Sequence, residues 1–256
     1  MPTTLITGAS SGIGLELAKL FAADGENVVL VARSEGKLEE LARQLRSTYP
    51  IEATAIPSDL SRSTAVEELR SELSRHSLRI DTLVNNAGFG ALGKFAELDA
   101  DRQRNMLMVN VVALTGLTRQ LLPGMIERGS GGILNVGSTA AYQAGPNMSV
   151  YYATKAYVLS FTEGLREELA GTGVSATVLA PGPTETGFGA DSGMGKFSFF
   201  QKAAMSARAV AKAGYAGYRK NEDVVIPGWR NRLMTTGVGF LPRVATRKIV
   251  AKIQDA

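Results

Sequence analysis

Residues 3–14 read T-T-L-I-T-G-A-S-S-G-I-G. A short β-favouring run, Thr3–Thr7, turns into Gly8, and Leu15–Ala23 continues as a helix. Glycine accepts the backbone angles of a tight turn and lets main-chain N–H groups come close to a ligand. A helix starting near Gly12 presents unpaired N–H groups and the positive end of its dipole to a phosphate. Glycines spaced G-x-x-x-G-x-G between a first strand and a first helix therefore point to a dinucleotide-binding βα unit. A plain strand–helix turn would not need all three. Gly8, Ser10, Ser11, Gly12, Ile13 and Gly14 are the candidate contacts.

Outward from this unit the pattern repeats. Asn27–Ala32 (N-V-V-L-V-A) is a fully apolar run, as expected of a parallel strand buried on both faces. At its end, where an acidic residue would hold the ribose hydroxyls of NAD, stand Ala32, Arg33 and Ser34. No carboxylate repels a phosphate there, and a guanidinium is present to bind one. This predicts NADP(H) over NAD(H), with Arg33 and Ser34 reading the extra phosphate. Lys37–Ser47 reads as a helix, Ala53–Ile56 as a third strand, and a polar helix runs to about Arg75. Between them Asp59, followed by Leu60, either caps the next helix or contacts the adenine amino group. Asp81–Val84 is a fourth strand, ending in Asn85-Asn86-Ala87-Gly88, small and amide residues that allow close ligand approach. The apolar loop 89–98 is expected to line a pocket.

Ala100–Glu127 reads as one long helix with Asn110 among apolar residues. A mid-helix asparagine in such surroundings needs partners. It is either a local packing group or an anchor for water or backbone near a site. Ile133–Val136 is a fifth strand, followed by Ser138; Val174–Leu179 is a sixth, ending at Pro181-Gly182-Pro183-Thr184-Glu185-Thr186; Val224–Pro227 is a short seventh. The stretch 182–195 holds five glycines and is expected to be mobile. A last helix is expected over Ala203–Arg219. Seven apolar runs separated by helices, with no repeat and no linker, predict one doubly wound α/β domain with helices on both faces of a parallel sheet. That domain would span 1–256, with cofactor binding at about 1–140, catalysis and substrate binding at about 138–228, and a basic extension at 229–256.

The chemistry-bearing candidate is Tyr151-x-x-x-Lys155. Residues four apart share a helix face, and a nearby ammonium lowers a phenol's pKa from about 10. Such a phenol can move protons near neutral pH. Alone, the spacing is equally met by an amphipathic helix with a packed tyrosine and a solvated lysine. Tyr152 and Tyr142 lack a lysine partner, being followed at the same spacing by Ala156 and Pro146.

The chain has 256 residues, no cysteine and one histidine, His76, in a polar stretch. Disulfides, thiolate catalysis and iron–sulfur clusters are excluded, and a histidine-based metal site or triad has no residues to build it; no metal is expected. The N-terminus shows no secretory pattern and no span of about 20 apolar residues stands out, so a cytoplasmic location is expected.

Together these motifs resemble the short-chain dehydrogenase/reductase family: T-G-A-S-S-G-I-G at 7–14, N-N-A-G at 85–88, Asn110, Ser138, Tyr151-x-x-x-Lys155, and Pro181-Gly182 with Thr186 beyond. The resemblance implies a Rossmann fold, a nicotinamide cofactor, and a homodimer or homotetramer. It implies that Tyr151 is the general acid/base, that Lys155 lowers its pKa and holds the nicotinamide ribose, that Ser138 orients the substrate oxygen, and that Asn110 supports a proton-relay water. Asp59, Asn86 and the residues around Thr184 resemble cofactor contacts. Many NADP-preferring members carry a basic residue just before the second motif glycine, where this chain has Ser11. The wider tyrosine–lysine spacing of the family's enoyl reductases is absent. The expectation is an NADPH-dependent reductase of a carbonyl, or oxidant of an alcohol, acting on small molecules. A 3-oxoacyl thioester reductase is the narrower alternative, and a non-catalytic NADP-binding redox sensor the rival.

The tail, 229–256, holds six basic residues and one acidic one, so the remaining chain is slightly negative despite a total of +4. Apolar and basic residues alternate in W-R-N-R-L-M and F-L-P-R-V. This reads as a solvated helix edge or an oligomer contact, the alternatives being an anionic membrane surface or an acyl-carrier partner. No nucleic-acid motif accompanies the charge.

Overall fold

The structure, a computed structural model, describes residues 1–196, 201 and 203–254. Residues 197–200 and 202, just before the last expected helix, and 255–256 of the basic tail lie outside the described residues.

Seven parallel strands form one sheet: β1 (Thr3–Thr7), β2 (Asn27–Ala32), β3 (Ala53–Pro57), β4 (Thr82–Asn85), β5 (Gly131–Val136), β6 (Val174–Leu179) and β9 (Val224–Val225), in the order β3-β2-β1-β4-β5-β6-β9. The fourth strand is displaced by one residue from the expected Asp81–Val84, although the Asp81 backbone still bonds to Thr3 and Gly132 on either side and its carboxylate accepts the Thr3 N–H at 3.0 Å. A small parallel pair, β7 (Thr184–Glu185) with β8 (Met205–Ser206), was not legible beforehand.

Alternate side chains of a strand point to opposite faces, and the core divides accordingly. Ile6, Val28 and Leu30 pack against α1 (Gly12–Ala23), α2 (Glu35–Thr48) and α8 (Ala207–Arg219) through Phe21, Leu41 and Val210. Leu5, Val29 and Val31 pack on the other side with Leu69 of α3 (Ala65–Arg75), Leu117 of α5 (Leu114–Glu127) and Leu165 of α6 (Ser149–Glu168). Helices thus cover both faces. The chain leaves β1 toward β2 and β3, then crosses to β4 on β1's other side. This is the switch point at which open α/β sheets form a crevice beyond their strand ends.

The helix expected over Ala100–Glu127 is continuous but not uniform. It runs as α4 (Ala100–Leu107), a π-helical segment Met108–Ala113, and α5. The widened turn holds the buried Asn110, and such π segments are rare and occur frequently at functional sites. The 28-residue run is long enough for a membrane span, and an 18-residue window within it reaches a mean hydropathy of 1.2. A core helix of a globular protein meets the same test. This one buries Leu114, Leu117, Thr118 and Met125.

The glycine-rich stretch expected to be mobile folds locally into β7, α7 (Phe188–Ser192) and a short 3₁₀ turn at Met194–Lys196. The last expected helix begins at Ala207, where the Ser206 hydroxyl accepts the Ala209 N–H at 3.2 Å. Two helices close the described chain, α9 (Trp229–Val238) and α10 (Arg243–Gln254). His76 is exposed, 3.9 Å from the Glu72 carboxylate.

Candidate active site

The candidate residues come together at the C-terminal ends of the strands, around one cleft of about 790 Å³, within the size range of small-molecule and cofactor sites. Gly8 follows β1, Arg33 follows β2, Asn86 follows β4, Ser138 follows β5 and Pro181 follows β6. Of the expected site residues, all line the cleft except Gly14 and Asn110.

Gly8 and Gly12 have φ of +67° and +57°, angles that side chains rarely adopt, and this wraps the loop into α1. Gly14 is buried beneath the loop rather than in its wall: a Cβ there would stand 2.4 Å from the Gly8 carbonyl oxygen and from Asn86 Nδ2. That amide has a definite task, for Asn86 Nδ2 donates to the carbonyls of Thr7 at 2.9 Å and Gly8 at 3.2 Å. Its side chain holds the glycine loop in shape. No side chain caps the start of α1 and no acidic residue lies in its first turn, so its N–H groups and dipole suit an anionic phosphate. Thr186 closes over this turn, its methyl lying 2.9 Å from where a Cβ on Gly12 would sit.

At the far end of the cleft, Arg33 and Ser34 are exposed. Asp59 accepts the Ser61 N–H at 3.0 Å and its hydroxyl at 2.8 Å. Burial works to raise the Asp59 pKa, but these two bonds, with Arg33 and Arg62 nearby, outweigh it and hold the carboxyl below its usual value. Asp59 thus caps a turn at Ser61 rather than a helix terminus, since α3 begins only at Ala65.

Ser138 caps a 3₁₀ turn, its hydroxyl accepting the Ala140 N–H at 3.1 Å while also hydrogen-bonding to Tyr151. Tyr151 and Lys155 both lie on the buried face of α6, which removes the reading of a solvated lysine. The Lys155 ammonium donates to the Val136 carbonyl at 2.8 Å and stands 5.9 Å from the Tyr151 ring centre. The expected depression of the tyrosine's pKa is not what this arrangement produces. Burial pushes the Tyr151 phenol above its usual range, with the Ser138 hydrogen bond opposing, and burial pulls Lys155 down to about 8. The reason is desolvation: both groups leave water, so each favours its neutral form.

Asn110 sits behind the wall, with every polar atom engaged. Its Oδ1 accepts the Phe89 N–H at 3.1 Å, and its Nδ2 donates to the Phe89 carbonyl at 3.0 Å and to Thr154 Oγ1 at 3.1 Å. It ties loop 88–89 to α6, the backbone-anchor reading. Beyond Tyr151 the cleft is apolar, with Met148, Phe188 and Met194 packed around the phenol, the Phe188 ring centre 5.2 Å away.

The tail also reaches the cleft. Asn231 and Met234 of α9 and Val250 of α10 line it, and Asn231 packs so tightly on Gly182 that a Cβ there would meet its Oδ1 at 2.4 Å. Arg102 and Asn105 of α4 line it as well. Neither group was named beforehand. The only sequence signal was Gly182, whose need for space becomes evident once Asn231 is placed against it.

A doubly wound parallel sheet, a glycine loop feeding a helix at its switch point, and a Ser–Tyr–Lys set at the strand ends, its tyrosine and lysine buried, define a dinucleotide-binding oxidoreductase. A family model described as short chain dehydrogenase matches residues 2–196. A ketoacyl reductase, HetN, of Nostoc sp. is 37% identical over 190 residues, covering 74% of this chain and 66% of that protein, a little under two thirds of its length. Sulfoacetaldehyde reductase 2 of Chromohalobacter salexigens is 39% identical over 186 residues, 72% of this chain and 73% of the relative. A solved short-chain dehydrogenase from Sphingobium yanoikuyae in complex with NADPH superposes with a TM-score of 0.84 at 33% identity, covering 93% of each chain. The chain belongs to the short-chain dehydrogenase/reductase family and is an oxidoreductase acting on alcohol and carbonyl groups.

Proposed function

We propose that this protein is an NADP(H)-dependent carbonyl reductase, with the whole chain forming one catalytic domain. The observation that carries this reading is the half-buried Ser138 hydroxyl hydrogen-bonded to the buried Tyr151 phenol at the cleft, with the buried Lys155 ammonium 5.9 Å from the tyrosine ring centre. Bound nicotinamide would supply or accept the hydride. The residues that would hold it are the Gly8–Gly14 loop and the α1 N-terminus for the pyrophosphate, Arg33 and Ser34 for a ribose phosphate, and Lys155 for the nicotinamide ribose.

The chain's own chemistry follows from burial. A neutral phenol carries the proton that reduction of a carbonyl requires, so Tyr151 would donate it to a substrate oxygen. Ser138 Oγ shares that oxygen and supports the charge that develops on it. Asn110 acts through the loop it anchors. The apolar surround of Met148 and Phe188 excludes water from the reacting oxygen. The relatives' named substrates, a ketoacyl group and sulfoacetaldehyde, mark the range of carbonyl compounds to be screened.

The protein is further proposed to work in the cytoplasm as a homodimer or homotetramer. Only one face of α6 is buried in the chain. Tyr157 on its outer face is exposed, together with Leu107 of α4 and Val112 of the π segment. The Tyr157 hydroxyl is 2.9 Å from Thr115 Oγ1, which ties α6 to α5 on this outer side, and the exposed apolar side chains there suit a second copy.

Tyr151→Phe tests the catalytic reading. It removes one oxygen, so turnover of any NADPH-linked carbonyl substrate is expected to fall by at least about 100-fold while NADPH binding, followed by fluorescence, stays within twofold or so. Retention of a substantial fraction of the rate would remove Tyr151 from the chemistry.

A further inference from the structure

The tail helices present an outer surface that the reaction does not use. On α9 the residues facing inward are Asn231, Met234 and Thr235, and on α10 Thr246 and Val250. Their outer faces are apolar and basic together. Trp229 and Leu233, four apart, share one face of α9 and are 73% and 65% exposed, and Phe240, just past the helix end at Val238, is 85% exposed. Leu241, Val244 and Ile249 are exposed too, so six of the chain's twelve exposed large apolar side chains among the described residues fall within 21 residues. Single exposed apolar residues are ordinary, but a contiguous group marks a docking surface. Arg230, Arg232, Arg243, Arg247, Lys248 and Lys252 are interleaved with them, with no acidic residue between 229 and 254. The Arg230 guanidinium lies over the Trp229 ring at 5.4 Å.

We propose that the outer face of α9 and α10 docks on an anionic lipid bilayer. The charge is complementary: the tail is strongly positive on a chain that is otherwise slightly negative. The apolar groups decide between partners. A purely acidic protein surface would engage the six cations and leave Trp229, Leu233 and Phe240 in water. A bilayer interface takes both, holding aromatic rings at the headgroup level and basic side chains at the phosphates. Two weak signals, apolar insertion and charge attraction, together give stable peripheral binding. Docking also places the cleft at the bilayer, because Asn231, Met234 and Val250 line it from the inner side of the same two helices. On the carbonyl-reductase reading, this opens the site to carbonyl compounds dissolved in lipid. The docking itself does not depend on that reading.

The test is co-sedimentation of the full chain with vesicles of phosphatidylcholine alone or with about 30% phosphatidylglycerol, an anionic content typical of charged leaflets. Binding is expected only to the anionic vesicles. Arg230→Glu with Arg232→Glu should weaken it by at least about 30-fold, from roughly fivefold for each basic charge lost. The variant Trp229→Ala, Leu233→Ala, Phe240→Ala should weaken it on the order of tenfold or more at unchanged charge. Near-wild-type melting temperatures would show that both variants fold. No binding to anionic vesicles by the wild type would overturn the proposal. So would loss in the charge variant with none in the apolar variant, because the apolar side chains would then take no part and charge attraction alone no longer favours a bilayer over any other anionic surface. A shift of the apolar variant from oligomer to monomer, with no vesicle binding by the wild type, would assign the face to a second copy instead.

Discussion

Lys155→Met is expected to make the protein more stable and inactive at the same time. Burial takes the ammonium from 10.5 to about 8. At about 1.4 kcal/mol per unit, holding that charge in the fold costs about 3 kcal/mol at pH 7. Methionine keeps the unbranched stem but loses the 2.8 Å hydrogen bond to the Val136 carbonyl, a loss of about 1 kcal/mol. The net gain is about 2 kcal/mol, or a rise in Tm of roughly 4–8 °C for a chain of this length. The gain must depend on pH. With the folded pKa below the unfolded one, the unfolded wild type binds the extra proton between about pH 8 and 10.5, so wild-type stability rises across that window. The variant's advantage is therefore full below pH 8. It shrinks above it, and reverses near pH 10.5, where only the lost hydrogen bond remains. Thermal unfolding of both proteins from pH 7 to 10.5 measures this directly. A variant less stable than wild type at pH 7, or a gap that does not change with pH, would show that the lysine is not held at a desolvation cost.

Arg33→Ala should weaken NADPH binding by about tenfold, from one exposed charge-assisted hydrogen bond, and leave NADH unchanged; dissociation constants at one ionic strength decide it, and parallel loss of both cofactors would show that Arg33 does not read the phosphate. Asn110→Ala strips three hydrogen bonds, one buried and two partly buried, and takes the side-chain partner from the Phe89 N–H and carbonyl. A loss of about 2–4 kcal/mol is expected, read as a lower urea midpoint at unchanged m-value. Val112→Asp places a charge in the exposed patch beside Tyr157 and is expected to give a monomer by light scattering; a wild type that is already monomeric at micromolar concentration would refute the self-association.

Much of this architecture is local and so was legible in the chain. Continuous apolar runs such as N-V-V-L-V-A can only be strands buried on both faces, and seven of them alternating with helices leave little choice but a doubly wound sheet. The glycine loop and the Tyr–Lys spacing were legible for the same reason, since each acts within a single turn or helix. What lay outside the sequence depends on residues far apart in the chain. Lys155 could be solvated or buried until the sheet edge at Val136 was set against α6. Its burial reversed the expected effect on Tyr151, because desolvation depends on everything packed around a group and not on its neighbour in the motif. Asn110 had two open roles, and only the approach of Phe89 and Thr154 chose between them. The tail helices carried no motif, yet Asn231 and Val250 reach the cleft while Trp229 and Phe240 point away from it. Helical spacing sorts those residues into two faces, but only the packing of α9 against Gly182 decides which face turns toward the protein.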